Sequence, residues 1–121
     1  MHSRSGGVPM IELAYPKPMI IYAGKNGSEP FTDWFNNISD ARDRRRILSR
    51  LRRMEKGNWG DYKPLKKGVY ELRLFFSAGY RLYFGIDRGQ LVVLLLGGNK
   101  RSQTSDIDKA VRYWQEYLHH D

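Results

Sequence analysis

The sequence predicts one α+β domain of order βααβββα. Its two N-terminal helices share one face of a mostly antiparallel sheet, and its C-terminal helix packs on the same side. Three observations carry this. The chain has 121 residues, enough for one modest core and too few for two. Apolar residues recur at helical spacing in three segments. The last three apolar runs are joined by connections so short that they must form an antiparallel meander.

Taken in order, residues 1–18 read as a leader, partly flexible, with Met10 as an alternative start. Residues 19–118 form the single domain. "MIIYAG" (19–24) is a short strand closed by Gly24. Ser28 is placed to cap a first helix, with Glu29 and Pro30 in its first turn. Phe31, Trp34, Phe35 and Ile38 then form a core stripe. Ser39 or Asp40 caps a second helix running to about Lys56, with Ile47, Leu48, Leu51 and Met54 inward. Gly57 ends it as a left-handed cap.

"GNWGDYKPLKKG" (57–68) reads as loop, pinned by Trp59 and Tyr62. Strands are expected at about 69–76, 80–87 and 90–97. The unbroken apolar run Leu91–Leu96 has no polar face, so it belongs inside the sheet. A last helix from Ser102 or Ser105 buries Ile107, Ala110, Val111, Trp114 and Leu118.

Composition narrows the function. There is no cysteine, hence no disulfide framework and no thiolate metal site. The longest apolar run is six residues, far below the roughly 18 that span a bilayer. Both features point to a cytoplasmic protein. The net charge is +8, and it is localised. Residues 1–40 carry 3 basic and 4 acidic side chains, residues 82–121 carry 5 of each, and residues 41–81 carry 13 against 4. A net +9 in the central third points to a polyanion: nucleic acid or an acidic protein.

Two features gather that charge. Arg42, Arg46, Arg50 and Arg53 recur on the outer face of the second helix. In "ELRLFFSAGYRLYF" (71–84), Arg73 and Arg81 lie inside two strands. Pairing Phe76 with Tyr80 sets Leu72, Leu74, Leu82 and Phe84 on one face, and Arg73, Arg81 and Tyr83 on the other. In that register Arg73 and Arg81 are diagonal neighbours and Tyr83 faces Arg73. Geometry alone allows two readings: exposed arginines with Glu71 pairing one of them, or a two-arginine phosphate grip beside a tyrosine. "GGNKRSQ" (97–103) favours the grip. It leaves the neighbouring strand at the same end of the sheet and brings Lys100, Arg101, Gln103 and a helix N-terminus.

The three histidines, His2, His119 and His120, are terminal, and no ligand spacing implies a metal or cofactor. The composition permits metal-free RNA cleavage, in which the 2′-hydroxyl attacks the adjacent phosphate and arginines stabilise the phosphoryl oxygens.

The blocks "DARDRRRILSRLRRMEKGNWGDYKPLKKGVYELRLFFSAGYRLYF" and "LVVLLLGGNKRSQTSDIDKA" resemble the addiction-module killer proteins, a HigB-like branch of the RelE/ParE toxin superfamily. The resemblance covers about residues 19–118 in five ordered motifs. It implies the toxin of a type II toxin–antitoxin system that cuts mRNA at the ribosome and is held by an antitoxin, often with a helix-turn-helix part. The matching catalytic positions are Arg73, Arg81, Lys100 and Arg101, with Tyr83 as a further candidate. Lys63, Lys66, Lys67, Gln103 and the Arg42/Arg46/Arg50/Arg53 face are the implied RNA contacts, the last also a dock for the antitoxin. The sequence departs from the family at SAGYR, where GPGYR is usual, and at GGNK, where GGDK is usual. It also lacks the tyrosine that RelE carries soon after the last strand. A ParE-like gyrase inhibitor and a non-catalytic RNA-binding remnant share the same fold.

Overall fold

A computed structural model describes residues 16–119. The proposed alternative start at Met10, most of the leader, His2 and His120 lie outside the described residues. Among the described residues eight elements follow one another: β1 (Met19–Ile21), α1 (Pro30–Asn36), α2 (Ala41–Glu55), β2 (Tyr62–Pro64), β3 (Tyr70–Arg73), β4 (Arg81–Asp87), β5 (Leu91–Gly98) and α3 (Gln103–Leu118). The strands make one sheet in the order β1-β5-β4-β3-β2. Only the β1–β5 pairing is parallel among the described residues. The α+β class read from the sequence holds, and β5 is interior as its unbroken apolar run requires.

The helices do not share one side. Phe31 and Ile38 from the α1 region and Ile47, Leu51 and Met54 of α2 pack with Leu72, Leu82, Phe84 and Leu94. Ala110 and Trp114 of α3 pack on the opposite face, with Tyr83, Val93, Leu95 and Leu96. A bulge between Tyr83 and Phe84 lets Leu95 and Leu96 both serve this second core. Three layers result, each sheet face buried by a different set of helices.

The segment read wholly as loop contains β2. Tyr62 pairs with Leu72, Lys63 with Glu71 and Pro64 with Tyr70. Three residues are too few to show an alternation, and Pro64 is tolerated because β2 is an edge strand.

Local chemistry explains the helix limits. Asp40 caps α2 by accepting from the Arg42 amide at 2.8 Å. At its other end Gly57 has φ +96°, and the Asn58 amide reaches back to the Arg53 carbonyl at 2.9 Å, a Schellman closure. The first helix is capped differently from the expectation. Glu29 is its N-cap and accepts from the Thr32 hydroxyl at 2.6 Å, while Ser28 closes a turn with its amide on Asn26. Two residues assigned to core stripes, Leu48 and Leu118, are exposed. In α2 the inward stripe is Asp43, Ile47, Leu51 and Met54.

That buried aspartate sets the hairpin. Its carboxylate accepts from the Ser77 hydroxyl at 2.8 Å and from the Tyr80 hydroxyl at 2.7 Å. Both residues are thereby drawn toward α2, and the turn between them is pinned. Ser77 and Gly79 have φ +49° and +70°, and the Gly79 amide donates to the Phe76 carbonyl. The ladder instead closes at Leu74, whose amide donates to the Tyr80 carbonyl at 2.9 Å. The observed pairs are Leu72 with Leu82 and Arg73 with Arg81, a slip of two residues from the sequence-based pairing. Such a slip preserves the faces and changes every partner.

Candidate functional site

Two rows of residues cross the sheet on the α3 side. The first runs Asp61, Arg73, Arg81, Gly98: the Arg73 amide donates to the Asp61 carbonyl, and Arg73–Arg81 and Arg81–Gly98 are register partners. The second runs Lys63, Glu71, Tyr83, Leu96. Arg73 and Arg81 are therefore directly opposite, not diagonal, and Tyr83 faces Glu71 rather than Arg73.

Each arginine has its own carboxylate. Arg73 grips Asp61 Oδ2 through Nη2 and Nε, both at 3.1 Å, with both side chains near half exposed. Arg81 is only 11% exposed, its Nε 3.6 Å from Glu71 Oε2 and its Nη1 donating to the Gly79 carbonyl at 3.0 Å. Glu71 is fully buried. Besides Arg81 it receives the Gln103 amide at 2.8 Å and faces Lys63 Nζ at 3.9 Å. A carboxylate buried with several cationic and amide donors is stable where a lone one is not. Glu71 thus collects three of the expected polyanion contacts, Arg81, Lys63 and Gln103, from three different elements.

The start of α3 is brought over this row by Gly98. A Cβ at that position would collide with the Asp106 carboxylate, to which the Ser102 hydroxyl donates. Lys100 and Arg101 follow on the exposed turn where β5 ends, beside Arg81 in chain path, with Asn99 Oδ1 accepting from the Arg101 amide at 2.9 Å. Convergence of this loop on the arginine end of the sheet is as the sequence suggested.

Tyr83 requires correction. It is 0% exposed within the core beneath α3, so it offers no ring face for a base. Burial, then the negative charge of Glu71, pushes its phenol well above the usual tyrosine range.

Of the remaining cations, Lys66 pairs with Asp108 at 3.5 Å and Lys67 occupies an exposed turn with φ +53°. The α2 arginines do not act as one uniform face. Arg42 is exposed beside its cap Asp40, Arg46 lies 4.6 Å over the Phe76 ring, and Arg50 donates to the Trp59 carbonyl at 2.9 Å. Burial first, and Arg53 second, lowers the Arg50 pKa from the usual arginine value. Arg44, near the apolar stripe, donates to the Ile38 carbonyl.

Two residues escaped the sequence reading. Asp43 continues the 47-51-54 stripe one turn upstream, and that spacing was the available signal. Phe75 alternates with core residues yet is 74% exposed, and the period-two pattern that places it outward could have raised the question of its use.

These features define a small three-layer α+β domain with a basic face built on its central hairpin. Over residues 33–114 the chain matches the model of the phage-derived, Gp49-like protein family. It is also 38% identical to an uncharacterized protein of Haemophilus influenzae over 86 residues, covering 71% of this chain and 87% of that relative. The chain belongs to the Gp49-like family.

Proposed function

We propose that this protein is the toxin of a type II toxin–antitoxin system and acts as a ribosome-dependent mRNA endonuclease. The Gp49-like family is a toxin-like, addiction-module family, which supports the first half of the reading. One observation carries the second half: Arg73 and Arg81 stand directly opposite on adjacent strands, where the turn bearing Lys100 and Arg101 leaves the sheet. Asp61 and Glu71 offset the two like charges within the fold, and Arg73, with 41% of its side chain exposed, still presents its guanidinium to a phosphate arriving from solvent.

In the reaction the RNA 2′-oxygen attacks the neighbouring phosphorus, the bond to the 5′-oxygen breaks, and a cyclic phosphate and a 5′-hydroxyl result. Arg73 and Arg81 stabilise the charge that grows on the phosphoryl oxygens. Lys100 and Arg101 hold the flanking backbone, with Lys63, Lys66 and Lys67 extending the cationic surface and Gln103 adding an amide donor. No step requires a metal or cofactor. The cognate antitoxin, a helix-turn-helix protein in this reading, covers the basic surface with acidic and apolar segments.

A second reading, RNA binding without cleavage, is favoured by the engagement of Arg81, Lys63 and Gln103 with Glu71. Inducing the protein alone and mapping mRNA 5′ ends, with and without ribosomes, separates the two. The nuclease reading expects ribosome-dependent ends and growth arrest, both abolished by Arg73→Ala and by Arg81→Ala in folded protein. Intact mRNA accompanied by DNA breaks would instead indicate a gyrase inhibitor.

A further inference from the structure

The hairpin tip carries a feature outside the phosphate grip. Phe75 is 74% exposed, the most exposed large hydrophobic side chain among the described residues. Its neighbours in sequence are withdrawn: Leu74 is buried, and Phe76 packs between the Arg46 guanidinium and the Tyr80 ring. The tip is held in place. Asp43 fixes Ser77 and Tyr80 on either side of the turn, so Phe75 is presented by an anchored backbone. The Arg73 guanidinium lies 5.2 Å from its ring centroid. Beside it runs a groove of about 260 Å³ between the hairpin and α2, lined by Arg50, Arg53, Asn58, Gly60, Arg73 and Phe75. That volume is just under the roughly 300 Å³ at which small-molecule pockets begin, the scale of a single nucleotide.

We propose that this groove is a subsite for one nucleotide of single-stranded RNA, with Phe75 stacking the base and Arg53 holding its phosphate. The inference rests on the RNA-directed reading of the domain and extends it to a position away from the Arg81 cluster. An aromatic face beside arginines is the recurring means of holding single strands, because every base presents a π-face and every nucleotide a charge. A basic groove with an exposed ring at its rim suits a polyanion that stacks better than it suits an apolar helix. Asp61, which also lines the groove, is already held by Arg73 and leaves Arg53 as the outward cation.

The test uses the full chain and a short fluorescent single-stranded RNA, with binding read by anisotropy across a salt series. Phe75→Leu keeps an apolar side chain and removes the π-face; it should weaken binding on the order of tenfold. Phe75→Trp should bind at least as tightly as the wild type. Arg53→Ala should flatten the dependence of log affinity on log salt by about 0.7. Circular dichroism should show all three variants folded, since both side chains are exposed. Unchanged RNA affinity in Phe75→Leu overturns the subsite, and so does a loss confined to an acidic helical peptide probe, which would mark a protein dock. The parent reading fails separately: wild type that binds this RNA through Phe75 but leaves mRNA whole keeps the subsite and loses the nuclease.

Discussion

Arg73 and Arg81 are the same residue type, register partners on adjacent strands, and their environments differ. Arg81 is 11% exposed and lies against Glu71, which is fully buried and also engages Lys63 and Gln103. Arg73 is 41% exposed and lies against Asp61, itself 45% exposed. The inner region is a low-dielectric cluster in which each charge depends on the others. The outer region, from Asp61 through Arg73 to Phe75, is wet and its charges are screened. Burial gives the inner arginine a fixed direction, and exposure gives the outer one reach. A site that must both orient a phosphate and capture a long polymer can use one of each.

The contrast can be broken most severely at Glu71. Glu71→Ala leaves Arg81 buried without its carboxylate and should cost about 3 kcal/mol, read from the urea midpoint. Asp61→Ala, the same deletion in the outer region, should cost under about 1 kcal/mol. Equal losses at the two positions would erase the distinction. Next in size is Gly98→Ala. The new methyl would meet the Asp106 carboxylate and the Ser102 hydroxyl, so the first turn of α3 must rearrange, with Gln103 beside it on Glu71. A loss of about 1–3 kcal/mol is expected, together with a shifted Gln103 side-chain amide resonance.

The anchored turn offers a smaller lever. Tyr80→Phe removes one donor to Asp43 and should cost about 1 kcal/mol near neutral pH. It should also change the alkaline limb. Burial, then the bond to Asp43, pushes the Tyr80 phenol up to about 12. An unfolded tyrosine titrates near about 10, so the folded state favours the protonated hydroxyl. That stabilisation is whole below about pH 10 and is lost as the pH rises toward about 12. The melting temperature of Tyr80→Phe should therefore fall less steeply than that of the wild type across this window. Smallest of all is Arg73→Ala, which should change stability by under about 1 kcal/mol while removing toxicity. A large loss of stability there would make Arg73 a structural residue and weaken the outer half of the contrast.

How much of this was legible beforehand differs by element. The Asp40 cap, the Gly57 stop and the interior strand β5 follow from side-chain chemistry within a few residues, and all were readable. The β2 strand was not, because three residues contain no period. The hairpin faces were readable from alternation, but the partners were not: Asp43, remote in sequence, holds the Ser77 and Tyr80 hydroxyls, and Tyr80 does not take up the expected pairing with Phe76. Among candidate site residues, Arg73 and Arg81 stand out in the sequence because they interrupt apolar strands. Tyr83 was misplaced because period two says which face a residue takes and not what covers that face.

The domain class, the concentration of positive charge in residues 41–81 and the facing of two arginines to one side of a hairpin all follow from the order of residues alone. These depend on local periodicity and on counting. It took the packed fold to show that α3 seals Tyr83, that Arg81 lies 11% exposed against the buried carboxylate of Glu71, and that Phe75 is left outside. Burial and charge pairing are properties of what packs across the sheet from elsewhere in the chain, and no local pattern encodes that.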